Sequence, residues 1–364
     1  MAQAVKVRAK RTTQLPLVDS FLWLFRIGAL VAIVWGSVRS LTGHGLVTLS
    51  ASQWRDNLVT GLSLGSIYAL LALGYTMVYG VLRFINFAHG EVFMSGAMIG
   101  YFVAQALSRT FLYDGNLIYV ALLIILLTSM ATSTFIAVLL ERVAYRPLRG
   151  KPRLIPFITA IGASFFLQYA FFGLFSPANR NYPEVTKLNG RVGISGLQFL
   201  LKTQGVVIVA AVLMMAALYL FIERTKRGKA IRAVSEDPET ARLMGINVDR
   251  TIVLVFAVGG AMAGIAAFLW GLVFGQANFF MGFVPGIKAF TAAVFGGIGN
   301  IPGAMLGGLI IGLIETITPN LILSGLGIPG AFQLSDMVVF LALVTILIFR
   351  PTGLLGERLA EDRG

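Results

Sequence analysis

Apolar runs follow one another along almost the whole chain, and most approach the roughly 20 residues that a helix needs to cross a bilayer. Seven of them lie near 21 to 39, 57 to 80, 87 to 107, 117 to 140, 154 to 175, 205 to 222 and 251 to 274. Three more, interrupted by Gly and Pro, lie at 286 to 299, 301 to 318 and 334 to 349. Because 57% of the residues are hydrophobic and only 12% are charged, we predict an all-α, polytopic integral membrane protein with about ten transmembrane or partial-span helices.

The basic residues lie between these runs and predict an orientation. Their four main clusters are at 6 to 11, 142 to 153, 224 to 250 and 350 to 363. With ten crossings and a cytoplasmic N-terminus, all four clusters fall on the cytoplasmic side, as the positive-inside rule requires. The net charge of +13 is thereby explained without a nucleic-acid partner.

The first run could also be a signal peptide. Arg26 interrupts it, and the uninterrupted apolar part that follows, from Ile27 to Val38, has only 12 residues. The residues that follow, from Arg39 to His44, contain no clear small-x-small cleavage site. We therefore expect an uncleaved first span.

A 28-residue polar island at 223 to 250 interrupts the apolar pattern. Its second half carries the signals of a short capped helix: Asp237 as N-cap, Pro238 at the first position, Glu239 in the first turn and Gly245 as the C-terminal stop. A solvated loop between two spans is the usual interpretation of such an island. The helix signals favour a surface that meets a partner in water.

No motif of an enzyme or a cofactor site is supported by its surroundings in the sequence. Gly61 to Gly65 matches G-x-S-x-G but lies in an apolar helix, and the pair His89 and Glu91 lacks the other ligands of a zinc site. The chain has no Cys and no G-x-x-x-x-G-K-[ST] phosphate loop. We predict no enzymatic activity, no cofactor and no metal site.

Two stretches place polar and helix-breaking residues within the apolar pattern, near 83 to 91 and 276 to 303. They supply five candidate residues of a substrate pathway, which are Asn86, His89, Glu91, Gln276 and Asn278. Broken helices that line a polar path are one interpretation. Turns at the membrane edge are the other.

Two charged residues lie within the last apolar runs. Lys288 is near the start of a span, so we expect it to snorkel to the interface. Glu315 is inside a span, where pairing within the bundle is expected rather than exposure to lipid.

Glycines four residues apart recur at 61/65, 96/100, 260/264, 271/275, 282/286, 303/307 and 308/312. Small residues at this spacing let two helices approach closely. Chance in a Gly-rich chain accounts for some of the pairs, and close helix packing is predicted for the others.

Three segments together resemble a known family. They are the apolar run from 61 to 80 with NFAHGE at 86 to 91, ETARLMG at 239 to 245, and the Gly-rich run from 286 to 315. They are similar to the branched-chain amino acid permeases of bacterial ABC importers, closest to the H-type subunit of the high-affinity leucine/isoleucine/valine system. The resemblance covers about 55 to 356, and residues 1 to 50 depart from it.

The resemblance implies a permease subunit that moves branched-chain or other neutral amino acids inward by alternating access. Its implied partners are two cytoplasmic ATPase subunits, a second identical or related permease, an extracytoplasmic substrate-binding protein and the lipid of the bacterial inner membrane, with both termini cytoplasmic. E-T-A-x-x-x-G is similar to the E-A-A-x-x-x-G motif of importer permeases. This implies that Glu239, Ala241 and Gly245 dock the ATPase.

The implied organisation has three parts. Residues 1–50 form a basic tail and an extra first span, 51–356 form the permease domain with its coupling loop at 223–250, and 357–364 form a cytoplasmic tail. Two functional alternatives remain. One is urea, short amides or sugar as substrate of the same machinery, and the other is a proton-coupled carrier that uses Glu91 or Glu315.

Overall fold

Twelve α-helices dominate the computed structural model, which describes residues 16–113, 115–152, 154–194 and 197–356. The predicted tail at 357–364 and the first basic cluster therefore lie outside the described residues. The helices, labelled α1 to α12, are Pro16–Leu41, Ala51–Leu82, His89–Leu107, Ile118–Leu140, Leu154–Phe175, Lys202–Arg224, Lys226–Glu236, Pro238–Leu243, Val248–Phe274, Phe283–Gly296, Ile301–Thr318 and Ser335–Phe349.

Each of the ten apolar runs corresponds to one helix, and the prediction of an all-α polytopic membrane protein is confirmed. Within the described residues, eight helical segments are long and apolar enough to cross a membrane. The other two runs form α3, which begins with a polar first turn, and α10, which has 14 residues. The remaining helices, α7 and α8, occupy the polar island.

Four short strands pair in two antiparallel ribbons. They are β1 (Arg180–Asn181), β2 (Arg191–Ile194), β3 (Leu197–Leu201) and β4 (Gln276–Ala277), with β1 pairing β4 and β2 pairing β3. The sequence analysis did not predict them, because strands this short leave too few residues for a recognisable alternation.

The helix α2 lies at the centre of the larger compact unit, which comprises 50–317 and the chain from 335 onward. It is buried almost continuously from Gly61 to Val78, as expected for a helix that is apolar on every side. By contrast, α6 buries one stripe, spaced three to four residues apart: Val207, Ala211, Met215, Leu218 and Ile222. Most of its other apolar side chains are exposed, which suits contact with lipid.

Glycines bring α2 and α11 into backbone contact. A Cβ added to Gly65 would lie 2.8 Å from the Leu309 carbonyl oxygen, and one on Gly312 would overlap the Gly65 backbone. The same spacing recurs between α9 and α4, where a Cβ on Gly264 would lie 2.5 Å from Met130 Cα. Close packing, as predicted from the glycine pairs, is therefore present at 61/65, 260/264 and 308/312.

The smaller compact unit combines α1 with residues 318–334. The Ser40 hydroxyl donates to the Asn320 carbonyl at 2.8 Å, and the Leu46 N–H donates to the Ser324 carbonyl at 3.1 Å. Gly36 packs against the Ile322 backbone, where a side chain would not fit. The extra first span thus has its own packing partner late in the chain.

Gly312→Ala tests the backbone contact between α2 and α11. The added methyl group has no space beside Gly65, and we expect overpacking to cost about 1–3 kcal/mol of stability. The measurement is the midpoint of thermal unfolding in detergent. Gly162→Ala is the matched control, because a Cβ at the exposed Gly162 of α5 meets nothing within 4 Å. Equal midpoints for the two variants would show that the contact does not constrain the bundle.

Candidate functional site

The helix α8 has the two ends that the sequence predicts. Asp237 is its N-cap, and its carboxylate accepts hydrogen bonds from the N–H groups of Glu239, at 2.9 Å, and Thr240, at 3.2 Å. The Thr240 hydroxyl also donates to Asp237 and, together with these backbone bonds, lowers the pKa of that carboxyl below its ordinary value. The cap therefore stays ionised, the form that interacts favourably with the positive end of a helix.

Gly245 ends this helix in the left-handed region, with φ of 83°. Its N–H donates to the Arg242 carbonyl at 3.0 Å, and the Ile246 N–H donates to the Ala241 carbonyl at 3.1 Å. Glycine reaches this conformation without steric cost. The direction in which the chain leaves α8 is thus defined by hydrogen bonds.

The three predicted docking residues of α8 differ in their exposure. Glu239 and Gly245 are exposed, whereas Ala241 is 4% exposed and faces the interior of the chain. The sequence analysis missed two neighbours, Leu243 and Met244, which are 87% and 78% exposed. An apolar pair on a capped polar helix is the kind of surface that a partner covers.

The first half of the island is also helical, which the sequence analysis did not predict. The signal is Thr225, whose hydroxyl caps α7 by accepting from the Gly228 N–H at 3.0 Å. At the other end of α7, the Arg83 guanidinium donates to the Ser235 carbonyl at 2.6 Å. Because Arg83 is the C-cap of α2, the island is tied directly to the central helix.

Ionic contacts join the end of α4 to the start of α9 next to the island. Arg149 donates both to the buried carboxylate of Glu141 and to Asp249. Arg146 lies 4.0 Å from the same Asp249 carboxylate. Sequence reasoning treated these arginines only as orientation signals, because their acidic partners are distant in sequence or concealed in an apolar run.

The helix α3 begins inside the bundle. The His89 ring packs beside Gly74 of α2 and Gly259 of α9, and Gly259 lies roughly 16 Å along α9 from its start. The ring meets Tyr75 edge to face, with centroids 4.8 Å apart. The stretch from 83 to 91 therefore runs from the polar island, where Arg83 meets Ser235, into the bundle, where His89 begins α3.

The three candidates of this break are all buried. Asn86 accepts a hydrogen bond from the Tyr145 hydroxyl at 2.6 Å. The Ser164 hydroxyl lies 3.5 Å from Glu91 Oε1. His89 Nε2 and Glu91 Oε2 have no hydrogen-bond partner within the described part of the chain.

A cavity of about 210 Å³ opens beside Glu91. It lies between the break and the start of α10, and Tyr75, Phe87 and Ser164 contribute to its wall. The four other candidates do not line it. Asn86 and His89 are buried beside it in the break, Gln276 is exposed in β4, and the Asn278 side chain accepts from the Phe280 N–H at 3.0 Å. Of the five candidates, Glu91 alone lines this cavity among the described residues.

The expectation that Lys288 snorkels to the interface is wrong. Its side chain is buried, and Nζ lies 2.7 Å from Glu315 Oε1 and 2.6 Å from Asp336 Oδ1. The largely buried Glu315 of α11 and the half-exposed Asp336 of α12 compensate its charge, so the ammonium group itself does not need to reach water. The expected pairing of Glu315 is confirmed. No group of three side chains suited to a metal ion occurs among the residues that the structure describes.

Comparisons with known proteins identify the chain's relatives. A family model described as branched-chain amino acid transport system / permease component matches residues 57–348. The permease protein BraD of the high-affinity branched-chain amino acid transport system of Pseudomonas aeruginosa is 44% identical, over 84% of this chain and 96% of its own. The corresponding protein LivH of Escherichia coli is 40% identical, over 83% and 95%.

Among solved structures, PsaBC from Streptococcus pneumoniae in complex with Fab aligns with 80% of this chain and 91% of its own. The TM-score is 0.42 and the identity 10%, so this likeness is too weak to inform the fold or the function of the chain. The family model covers most of the chain, and the two relatives match it over almost their full length. The chain belongs to the family of permease components of branched-chain amino acid transport systems.

Proposed function

We propose that this chain is the transmembrane permease subunit of an ABC importer that moves branched-chain or other neutral amino acids into the cell by alternating access. The observation that carries the proposal is the capped helix α8 with its exposed Leu243 and Met244, in a chain related to permeases of this kind. The sequence has no phosphate-binding loop of the Walker type, so separate subunits hydrolyse the ATP.

In this proposal α8 is the joint with the ATPase. Leu243 and Met244 enter the partner surface, Glu239 lies at its rim, and the buried Ala241 holds α8 against the rest of the chain. A bulky side chain at Ala241 displaces the helix instead of blocking the partner. Gly245 sets the exit of the chain toward α9.

The joint transmits movement because its connections are short. Ser235 at the end of α7 is bonded to Arg83, the C-cap of α2. On the other side, four residues separate α8 from α9. A rigid-body displacement of α8 therefore reaches two buried helices of the larger unit, as hinge and shear transitions require.

The proposed partners are two cytoplasmic ATPase subunits, a second permease, identical or related, and an extracytoplasmic binding protein. The location is the bacterial inner membrane with both termini in the cytoplasm, which the distribution of basic clusters supports. In this arrangement the permease domain is 51–356, with the coupling loop at 223–250 on the cytoplasmic side.

The ATP dependence of leucine uptake tests the class of transporter. Vesicles containing the permease, its ATPases and the binding protein are expected to accumulate leucine only when ATP is supplied on the ATPase side. Uptake by the permease alone, driven by a proton gradient, would instead establish a carrier that uses Glu91 or Glu315. ATP-dependent uptake of urea, short amides or sugar in place of leucine would support the ABC importer but assign it a different substrate.

Leu243→Asp is expected to release the ATPase subunits. A charge replaces the most exposed large apolar side chain of the described residues, and loss of such an anchor costs about 2 kcal/mol, or roughly thirtyfold in affinity. The measurement is the amount of ATPase that co-purifies with the permease in mild detergent. Leu243→Met, which keeps an apolar side chain, is expected to retain it. Undiminished ATPase in the aspartate variant would exclude Leu243 from the joint.

Gly245→Pro is expected to abolish substrate-stimulated ATP hydrolysis while the complex stays in the membrane. Proline is fixed near φ of −65° and has no N–H, whereas Gly245 has φ of 83° and donates to the Arg242 carbonyl. Thr240→Ala is the control, because Asp237 still caps α8 through backbone N–H groups. Normal stimulated turnover in Gly245→Pro would refute the assignment of α8 as the joint.

A further inference from the structure

The cavity beside Glu91 is lined by parts of four helices and the break before α3, and it is open on the side of the exposed Phe165 and Phe283. Tyr75 of α2, Glu91 of α3, Ser164 of α5 and Gly282 at the start of α10 all border it. Its volume is about 210 Å³, below the roughly 300–1,000 Å³ of sites for drug-sized ligands. A molecule the size of a single small amino acid suits this space.

Glu91 gives the cavity an uncompensated acidic group. The residue is 1% exposed, and its Oε2 has no hydrogen-bond partner within the described residues. None of the residues that line the cavity in the described chain is Lys, Arg or His. A carboxylate in such a place is costly unless a cation or a proton reaches it, so the cavity is suited to a ligand that carries a positive charge.

Two glycines pack closely against the polar groups of this cavity. A Cβ on Gly282 would lie only 2.8 Å from Glu91 Oε2. A Cβ on Gly286 would lie 3.3 Å from the Tyr75 hydroxyl. A side chain at either position would therefore crowd the polar group beside it, so the wall of the cavity requires glycine at both.

A second polar group complements the acid. The Tyr75 side chain borders the cavity, and a phenolic hydroxyl can donate its proton to an anionic acceptor. The start of α10, which has no side-chain cap, borders the same cavity and adds the positive end of a helix dipole. An acceptor for an ammonium group and a donor for a carboxylate thus lie in one cavity.

The remaining wall is apolar. It consists of the side chains Phe87, Ile161, Phe165, Phe283 and Ile287. Such a wall favours an aliphatic side chain and disfavours a charged one or a polyhydroxylated sugar. Shape and polarity together specify the zwitterion of a small aliphatic amino acid.

We propose that this cavity is a substrate-binding station of the permease, in which Glu91 binds the ammonium group, Tyr75 the carboxylate, and the aromatic and aliphatic wall the side chain. The inference rests on the proposed import of neutral amino acids and adds to it a site within this chain. Recognition of the substrate then occurs in the permease as well as in the binding protein.

Cysteine protection tests the station, since the natural chain contains no cysteine. Ile161→Cys places a thiol in the wall, and Gly162→Cys, exposed on the same helix, is the matched control. In nanodiscs holding the complex with its ATPases, L-leucine is expected to slow alkylation of Ile161→Cys by N-ethylmaleimide and to leave Gly162→Cys unchanged. Equal rates with and without leucine at Ile161→Cys overturn the proposal.

The role of Glu91 is tested in the Ile161→Cys background. Glu91→Gln is expected to raise the leucine concentration for half-maximal protection by about tenfold, because the amide oxygen still accepts a hydrogen bond from the ammonium group but no longer carries the opposite charge. Unchanged protection would exclude Glu91. If this variant does not assemble, two ligands make the same test with Glu91 present. Isoamylamine, which keeps the ammonium, is expected to protect better than 4-methylpentanoate, which keeps the carboxylate, and the reverse order would exclude Glu91.

The proposed station and the proposed import function can be refuted independently. If ATP drives leucine uptake by the Ile161→Cys complex but leucine gives no protection, the station is wrong and the import function stands. If leucine protects the thiol but ATP drives no uptake, the station stands and the proposed importer is wrong.

Discussion

Backbone contact at glycine is the constraint on which this bundle depends. Lipid chains are as apolar as leucine, so burial of apolar surface does little to bring helices together within a bilayer. The chain instead removes side chains where helices meet, and Gly65 and Gly312 let α2 and α11 touch through their backbones. Because of such contacts, other helices surround α2 closely, and α2 supports the irregular segments beside it.

The same device permits the break before α3. Gly90 lies against Gly282, and a Cβ on either would overlap the other's backbone. The starts of α3 and α10 therefore approach each other inside the bundle. The backbone groups that each helix end leaves unpaired need polar partners there. Glu91 and Tyr75 are at this meeting point, so close packing and the polar cavity have one origin.

Local signals were predictable from the sequence and distant pairings were not. Asp237, Pro238 and Gly245 determine a helix through neighbours only a few residues away, and α8 appears where they predict it. Lys288 was misjudged because its compensating acids lie 27 and 48 residues further along the chain. Arg83 and Arg149 were missed for the same reason. At the site, the break and its polar residues were foreseen, but the cavity beside Glu91 depends on α5 and α10, which no local pattern reveals.

The exposed pair on α8 also has a meaning for assembly. Leu243 and Met244 are held in water by a capped helix that does not let them turn inward. A permease copy that lacks its ATPase therefore displays an apolar surface of the kind that chaperones and proteases recognise. In the proposed complex the ATPase would cover this surface, so the two side chains that dock the partner are also the ones that leave an unassembled copy prone to aggregation.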